Sequence, residues 1–108
     1  MNNTTWTLEQ GLEFARQLEV KIKRISSHYH VGLTGSTLYK GESKKDLDII
    51  LYPHKSTQKD RKYLDKVLIE FGLKFVSDRT ETYAVYGNDK EVVQYSYKGK
   101  RVDIFFLE

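Results

Sequence analysis

An α+β domain with a mixed sheet covered by helices is the fold class this sequence predicts. Three observations carry it. Apolar residues recur at helical spacing in two stretches, strict alternation marks the segments between and after them, and 108 residues hold one core rather than two. No repeat, low-complexity tract or Gly/Ser/Pro-rich linker divides the chain, so residues 1–108 read as a single domain.

The first element is an amphipathic helix over residues 8–25. Leu8, Leu12, Ala15, Leu18, Ile22 and Ile25 fall on one helical face, and Thr7 with Gln10 three positions later matches a capping box. Glu9 and Glu13 lie early and Lys21, Lys23 and Arg24 late, which complements the helix dipole. Strands follow at Tyr29–Thr34 and Asp46–Tyr52, joined by a short turn or helix. In the second, Leu47, Ile49 and Leu51 alternate with Asp46, Asp48 and Ile50, so one face is core, and Pro53 stands where the strand can end. A second helix reads from Thr57 to Phe71, with Leu64, Val67, Leu68 and Phe71 on its inner face and Gly72 in the left-handed stop position. The period then changes to two. Leu73–Ser77, Thr82–Tyr86, Val92–Tyr97 and Arg101–Phe106 are expected as strands, with turns at Gly87-Asn88-Asp89 and Lys98-Gly99-Lys100.

Composition narrows the chemistry. The chain has no cysteine, which excludes disulfides, thiolate metal sites and a thiol nucleophile and points to a cytoplasmic protein. Met1–Thr7 has neither a basic nor an apolar leader-like stretch, and the apolar run Ile104–Leu107 is far below membrane-spanning length, so no membrane partner is expected. A net charge of +3 admits a polyanionic ligand but falls short of a dedicated nucleic-acid-binding balance.

The informative stretch is Val31-Gly32-Leu33-Thr34-Gly35-Ser36, followed after nine residues by Asp46-Leu47-Asp48-Ile49-Ile50. Gly35 ends a strand without a side chain, so an anion can approach the backbone, and Ser36 adds a hydroxyl at the start of a helical segment whose free N–H groups favour phosphate. Asp46 and Asp48 are two apart on a strand and project from one face, where they repel unless a divalent cation neutralises them. Hard carboxylate oxygens suit Mg²⁺ or Mn²⁺. Asp103 is the candidate third acid, because Val102, Ile104 and Phe106 can take the core face and send it the opposite way, on a strand neighbouring Asp46–Tyr52.

These residues resemble the nucleotidyltransferases of the polymerase beta superfamily, in particular its minimal single-domain members. The resemblance lies in the Gly35-Ser36 turn, the acid-apolar-acid strand Asp46-Leu47-Asp48 and the later Asp103, landmarks within residues 31–106. Many minimal members follow the turn with a small residue and an arginine and precede the first acid with serine. Here Thr37-Leu38-Tyr39-Lys40 follows the turn, and Lys45 precedes Asp46.

The resemblance implies a polymerase beta-like fold with helices on one side of a mixed sheet. It also implies transfer of a nucleoside monophosphate from ATP or another nucleoside triphosphate to an acceptor hydroxyl on protein or RNA. Asp46, Asp48 and Asp103 would be the catalytic and metal-holding acids. Gly35 and Ser36 would bind the β- and γ-phosphates, and Lys40, Lys44 or Lys45 would add positive charge. So short a chain leaves little room for an acceptor site, so a partner such as a HEPN-type toxin, or a second copy in a homo-oligomer, is expected to supply it. The alternative is a catalytically inactive nucleotide-binding or antitoxin-type interaction module.

Other signals have ordinary readings. His28 and His30 share a strand face but lack a third ligand. Tyr83, Tyr86, Tyr95 and Tyr97 fit packing on a half-exposed sheet better than base stacking. The basic run from Lys55 to Lys62 fits a solvated helix start as well as an RNA contact. The P-loop order G-x-x-x-x-G-K-[ST] is absent.

Overall fold

The computed structural model describes residues 4–25, 29–53, 61–83 and 88–106. Its elements are β1 (Trp6–Thr7), α1 (Leu8–Ile25), β2 (Tyr29–Thr34), α2 (Gly35–Lys40), β3 (Glu42–Ser43), β4 (Asp46–Pro53), α3 (Arg61–Phe71), β5 (Leu73–Tyr83), β6 (Asn88–Tyr97) and β7 (Lys100–Phe106). Five strands form a mixed sheet in the order β2-β4-β7-β6-β5, in which β4 and β7 are parallel and the other neighbours antiparallel. β1 and β3 pair separately as a two-stranded ribbon that the alternation pattern does not reveal. The architecture is the α+β class expected.

The capping box forms as the sequence predicts. The Thr7 N–H donates to Gln10 Oε1 at 3.0 Å and the Gln10 N–H to Thr7 Oγ1 at 3.1 Å, which satisfies donors that the first turn leaves over. The buried stripe of α1 differs from the expected one. Phe14, Ala15, Leu18 and Ile22 are buried, whereas Leu12 is 52% exposed. Gly11 accompanies the rotation: a Cβ built there would lie 2.9 Å from Thr37 of α2 and 3.0 Å from Leu47 of β4, so the helix face that carries no side chain packs tightly on both. Counting apolar residues cannot register that packing. On α3, Leu64, Val67 and Leu68 are buried as expected, and Gly72 follows with a φ of 116°. The expected start of this helix at Thr57 lies outside the described residues.

Leu47, Ile49 and Leu51 of β4 and Val102, Ile104 and Phe106 of β7 join the buried residues of α1 and α3 in one core. Both long helices therefore cover the same face of the sheet. The strands expected at 73–77 and 82–86 are one strand: β5 runs from Leu73 to Tyr83 with a bulge between Phe75 and Ser77, and residues 84–86 lie outside the described residues. Asn88 and Asp89, expected in a turn, instead pair with Tyr83 and Thr82 in the β5–β6 ladder. β5 is an edge strand whose side chains are exposed from Lys74 to Asp78, so polar residues interrupt the alternation without ending the strand. Lys98 and Gly99 both take positive φ, 51° and 81°, as a two-residue hairpin turn requires.

Tyr95 is buried, and Tyr97 packs on Phe71 at 5.5 Å and edge-on to Phe14 at 5.1 Å, so these two tyrosines serve packing. The side chain of Tyr83 and all of Tyr86 lie outside the description. No helix among the described residues is long and apolar enough to cross a membrane.

Candidate active site

Strand register brings the acids together. β2 ends at Thr34 opposite Asp48 of β4, and in the parallel β4–β7 pair Asp48 lies beside Asp103 and Asp46 beside Arg101. Leu47 and Val102 point into the helix-covered core, so their neighbours Asp46, Asp48 and Asp103 project from the opposite face. One carboxylate oxygen from each acid lies within 4.8 Å of the others. Asp103 is 2% exposed, whereas Asp46 and Asp48 are half-buried. The triad expected from the sequence is thus a cluster in space.

The chain segments around it are held from several sides. Ser43 is buried, and its Oγ accepts the Asp46 N–H at 3.2 Å, which fixes the start of β4. The Trp6 indole N–H donates to the Arg101 carbonyl at 3.0 Å and so ties the β1–β3 ribbon to the start of β7. At the other end of the acid-bearing face, His30 lies opposite Tyr52, its Nδ1 3.6 Å from Glu19, and His28 falls outside the described residues. Among the described residues, the only group of three or more potential metal ligands is Asp46, Asp48 and Asp103.

The Gly35-Ser36 turn packs directly against the acids. Gly35 takes a φ of 72°, and a Cβ built on it would lie 2.8 Å from Asp48 Cγ and 2.9 Å from Asp48 Cβ. The bare Cα therefore makes room for the first acid strand. Ser36 is exposed beside it at the start of α2, and Gly41 ends that helix in the left-handed conformation with a φ of 80°. Lys40, Lys44 and Lys45 are all exposed.

A residue that sequence reasoning missed completes the cluster. Arg101 donates through Nε to Asp103 Oδ1 at 3.0 Å and through Nη2 to Asp103 Oδ2 at 3.1 Å, and its Nε lies 3.8 Å from Asp46 Oδ2. The signal was present: Arg101 stands two residues before Asp103, so the alternation that orients the acid orients the arginine too. The hydrogen bonds to Asp103 push its guanidinium further above its already high range.

Burial, and then the neighbouring Asp103 charge, push the Asp46 carboxyl above its ordinary range, against the opposing pull of Arg101. A carboxyl whose pKa rises on folding binds its proton more tightly in the native state. Its contribution to stability is present below the unfolded-state pKa and disappears as pH rises through the folded one. Metal-free Asp46→Asn is therefore expected to gain on wild type as pH rises from 4 to 8 in thermal melts. A difference in melting temperature that does not change with pH would refute this. The same facts test the fit of a metal: three hard oxygen donors, clustered and partly dry, suit Mg²⁺ or Mn²⁺.

No family model matches the chain, and no curated protein matches it in sequence. Solved structures do match. The Cid1 poly(U) polymerase with magnesium and 3′-dATP bound aligns with a TM-score of 0.64 at 17% identity, over 92% of this chain and 30% of that one. A cytoplasmic RNA terminal U-transferase aligns with a TM-score of 0.62 at 18% identity, again over 92% of this chain and 30% of the other. Cid1 in complex with the UTP analogue UMPNPP gives 0.59 at 14% identity, over 92% and 27%. The chain therefore spans about 30% of the length of these enzymes. Helices on one face of the mixed sheet and acids on the other, together with these likenesses, show that the chain has the polymerase beta-like nucleotidyltransferase fold.

Proposed function

We propose that this chain is a metal-dependent nucleotidyltransferase domain of the polymerase beta superfamily. It moves a nucleoside monophosphate from a nucleoside triphosphate to an acceptor hydroxyl and releases pyrophosphate. The observation that carries the reading is the convergence of Asp46, Asp48 and Asp103 beside the Gly35-Ser36 turn. The fold is shared with RNA terminal nucleotidyltransferases, which favours RNA as the acceptor. A protein hydroxyl, including one on a HEPN-type toxin, is the other acceptor class.

Asp46 and Asp48 would hold two ions between them, and Asp103 would complete the shell nearest the acceptor. Divalent ions bound there supply charge neutralisation on the transferring phosphate and a more acidic acceptor hydroxyl. Gly35 and Ser36 bind the β- and γ-phosphates through backbone N–H groups and the Ser36 hydroxyl, while Lys40 and Lys45 add positive charge from the exposed segment between turn and strand. The acceptor oxygen bonds to the α-phosphorus as the α–β phosphoanhydride bond breaks, the acceptor's proton is lost and pyrophosphate leaves.

The test is transfer of label from each α-³²P nucleoside triphosphate, with Mg²⁺ or Mn²⁺, to oligoribonucleotides and to cell-lysate protein. Labelled product that is lost in Asp46→Ala is the expected result. Nucleotide that binds in the wild type and never moves to any acceptor selects the inactive binding module instead.

A further inference from the structure

We infer that Arg101 is a built-in counter-ion that competes with metal for Asp103, so that the site takes up divalent ions only as the guanidinium is displaced. This rests on the reading of Asp46, Asp48 and Asp103 as metal ligands. Both oxygens of Asp103 are engaged by Arg101, at 3.0 and 3.1 Å, in a two-point fork. The Asp103 side chain is 3% exposed and has nowhere else to turn, whereas the Arg101 side chain is 37% exposed and has a route to solvent. The movable partner in an exchange is therefore the arginine.

The charge arithmetic agrees with the geometry. Without metal, three carboxylates gather on one sheet face, and Arg101 is paired with Asp103 and lies 3.8 Å from Asp46. That pairing supports the fold before any ion arrives. A carboxylate has lone pairs enough for two partners, but a dication and a guanidinium on the same two oxygens sit a few Å apart in a half-buried site and repel. Uptake of metal and retention of the fork oppose each other, and such coupling is reciprocal. Arg101 thus stabilises the empty site and weakens the loaded one. A residue that only braced the strand would support both.

The opposite signs make the test. Mn²⁺ alone is titrated calorimetrically into the full chain as wild type, Arg101→Gln and Arg101→Lys, with thermal melts without metal in parallel. Arg101→Gln is expected to melt lower without metal and to bind Mn²⁺ about tenfold more tightly. Arg101→Lys keeps the charge but gives up the fork, so it shows a smaller gain in the same direction and carries the test if the glutamine variant does not fold. Mn²⁺ affinity equal to or below that of wild type in the folded variants overturns the inference while leaving the metal reading intact. Absence of Mn²⁺ binding in all three proteins overturns the metal reading and this inference with it.

Discussion

Replacing Asp48 with asparagine is expected to abolish nucleotidyl transfer, lowering the rate by about a thousandfold or more, the scale seen when one preorganised electrostatic group is removed from a reacting centre. The substitution keeps the size of the side chain that packs against Gly35, while it removes the charge and turns one acceptor oxygen into a donor. Asp48 is half-buried beside two carboxylates and also attracts Arg101, so losing its charge relieves repulsion and gives up attraction together, and the melting temperature is expected to change little. Asp103 predicts a different pattern. Asparagine there leaves one of the two Arg101 donors without its carboxylate oxygen, so Asp103→Asn loses transfer and also melts lower. Single-turnover transfer and thermal melts on the two variants check both statements. Transfer by Asp48→Asn above about a tenth of the wild-type rate would remove Asp48 from the metal-holding set.

That difference between two acids, invisible in the sequence, shows where sequence reasoning stops. The triad was legible because a strand's two-residue period says which face each side chain takes, and the apolar residues between the acids say which face is core. The period does not say which strands pair, so the place of Asp103 beside Asp48 rested on the need of a metal site for a third acid, and the parallel β4–β7 pairing supplies it. Arg101 obeys the same rule, yet a basic residue at the start of a strand reads as solvated until the fork to Asp103 is seen. The rotation of α1 was hidden for another reason. Gly11 adds nothing to an apolar count, although a Cβ there would stand 3.0 Å from Leu47 and 2.9 Å from Thr37. β5 was split in two because an exposed edge strand has no need of alternation.

Gly35→Ala is expected to be the most damaging alanine substitution among the described glycines. Two costs coincide at this position. The φ of 72° costs an L-residue about 1–2 kcal/mol, and the added Cβ would stand 2.8 Å from Asp48 Cγ, so either the turn opens or Asp48 leaves the cluster. Either response separates the Gly35-Ser36 turn from the acids, so transfer is expected to fall by about a hundredfold or more. Gly41→Ala provides the control. Its φ is 80° and nothing lies within 4 Å of a Cβ there, so it carries the backbone cost without the overlap. Chemical denaturation is expected to show both variants destabilised, Gly35→Ala the more, while Gly41→Ala keeps its transfer activity and its stabilisation by Mn²⁺. Equal destabilisation with activity retained in both would mean that Asp48 does not depend on the bare Cα of Gly35. Loss of activity in Gly35→Ala alone would tie the acid cluster to the bare Cα of Gly35.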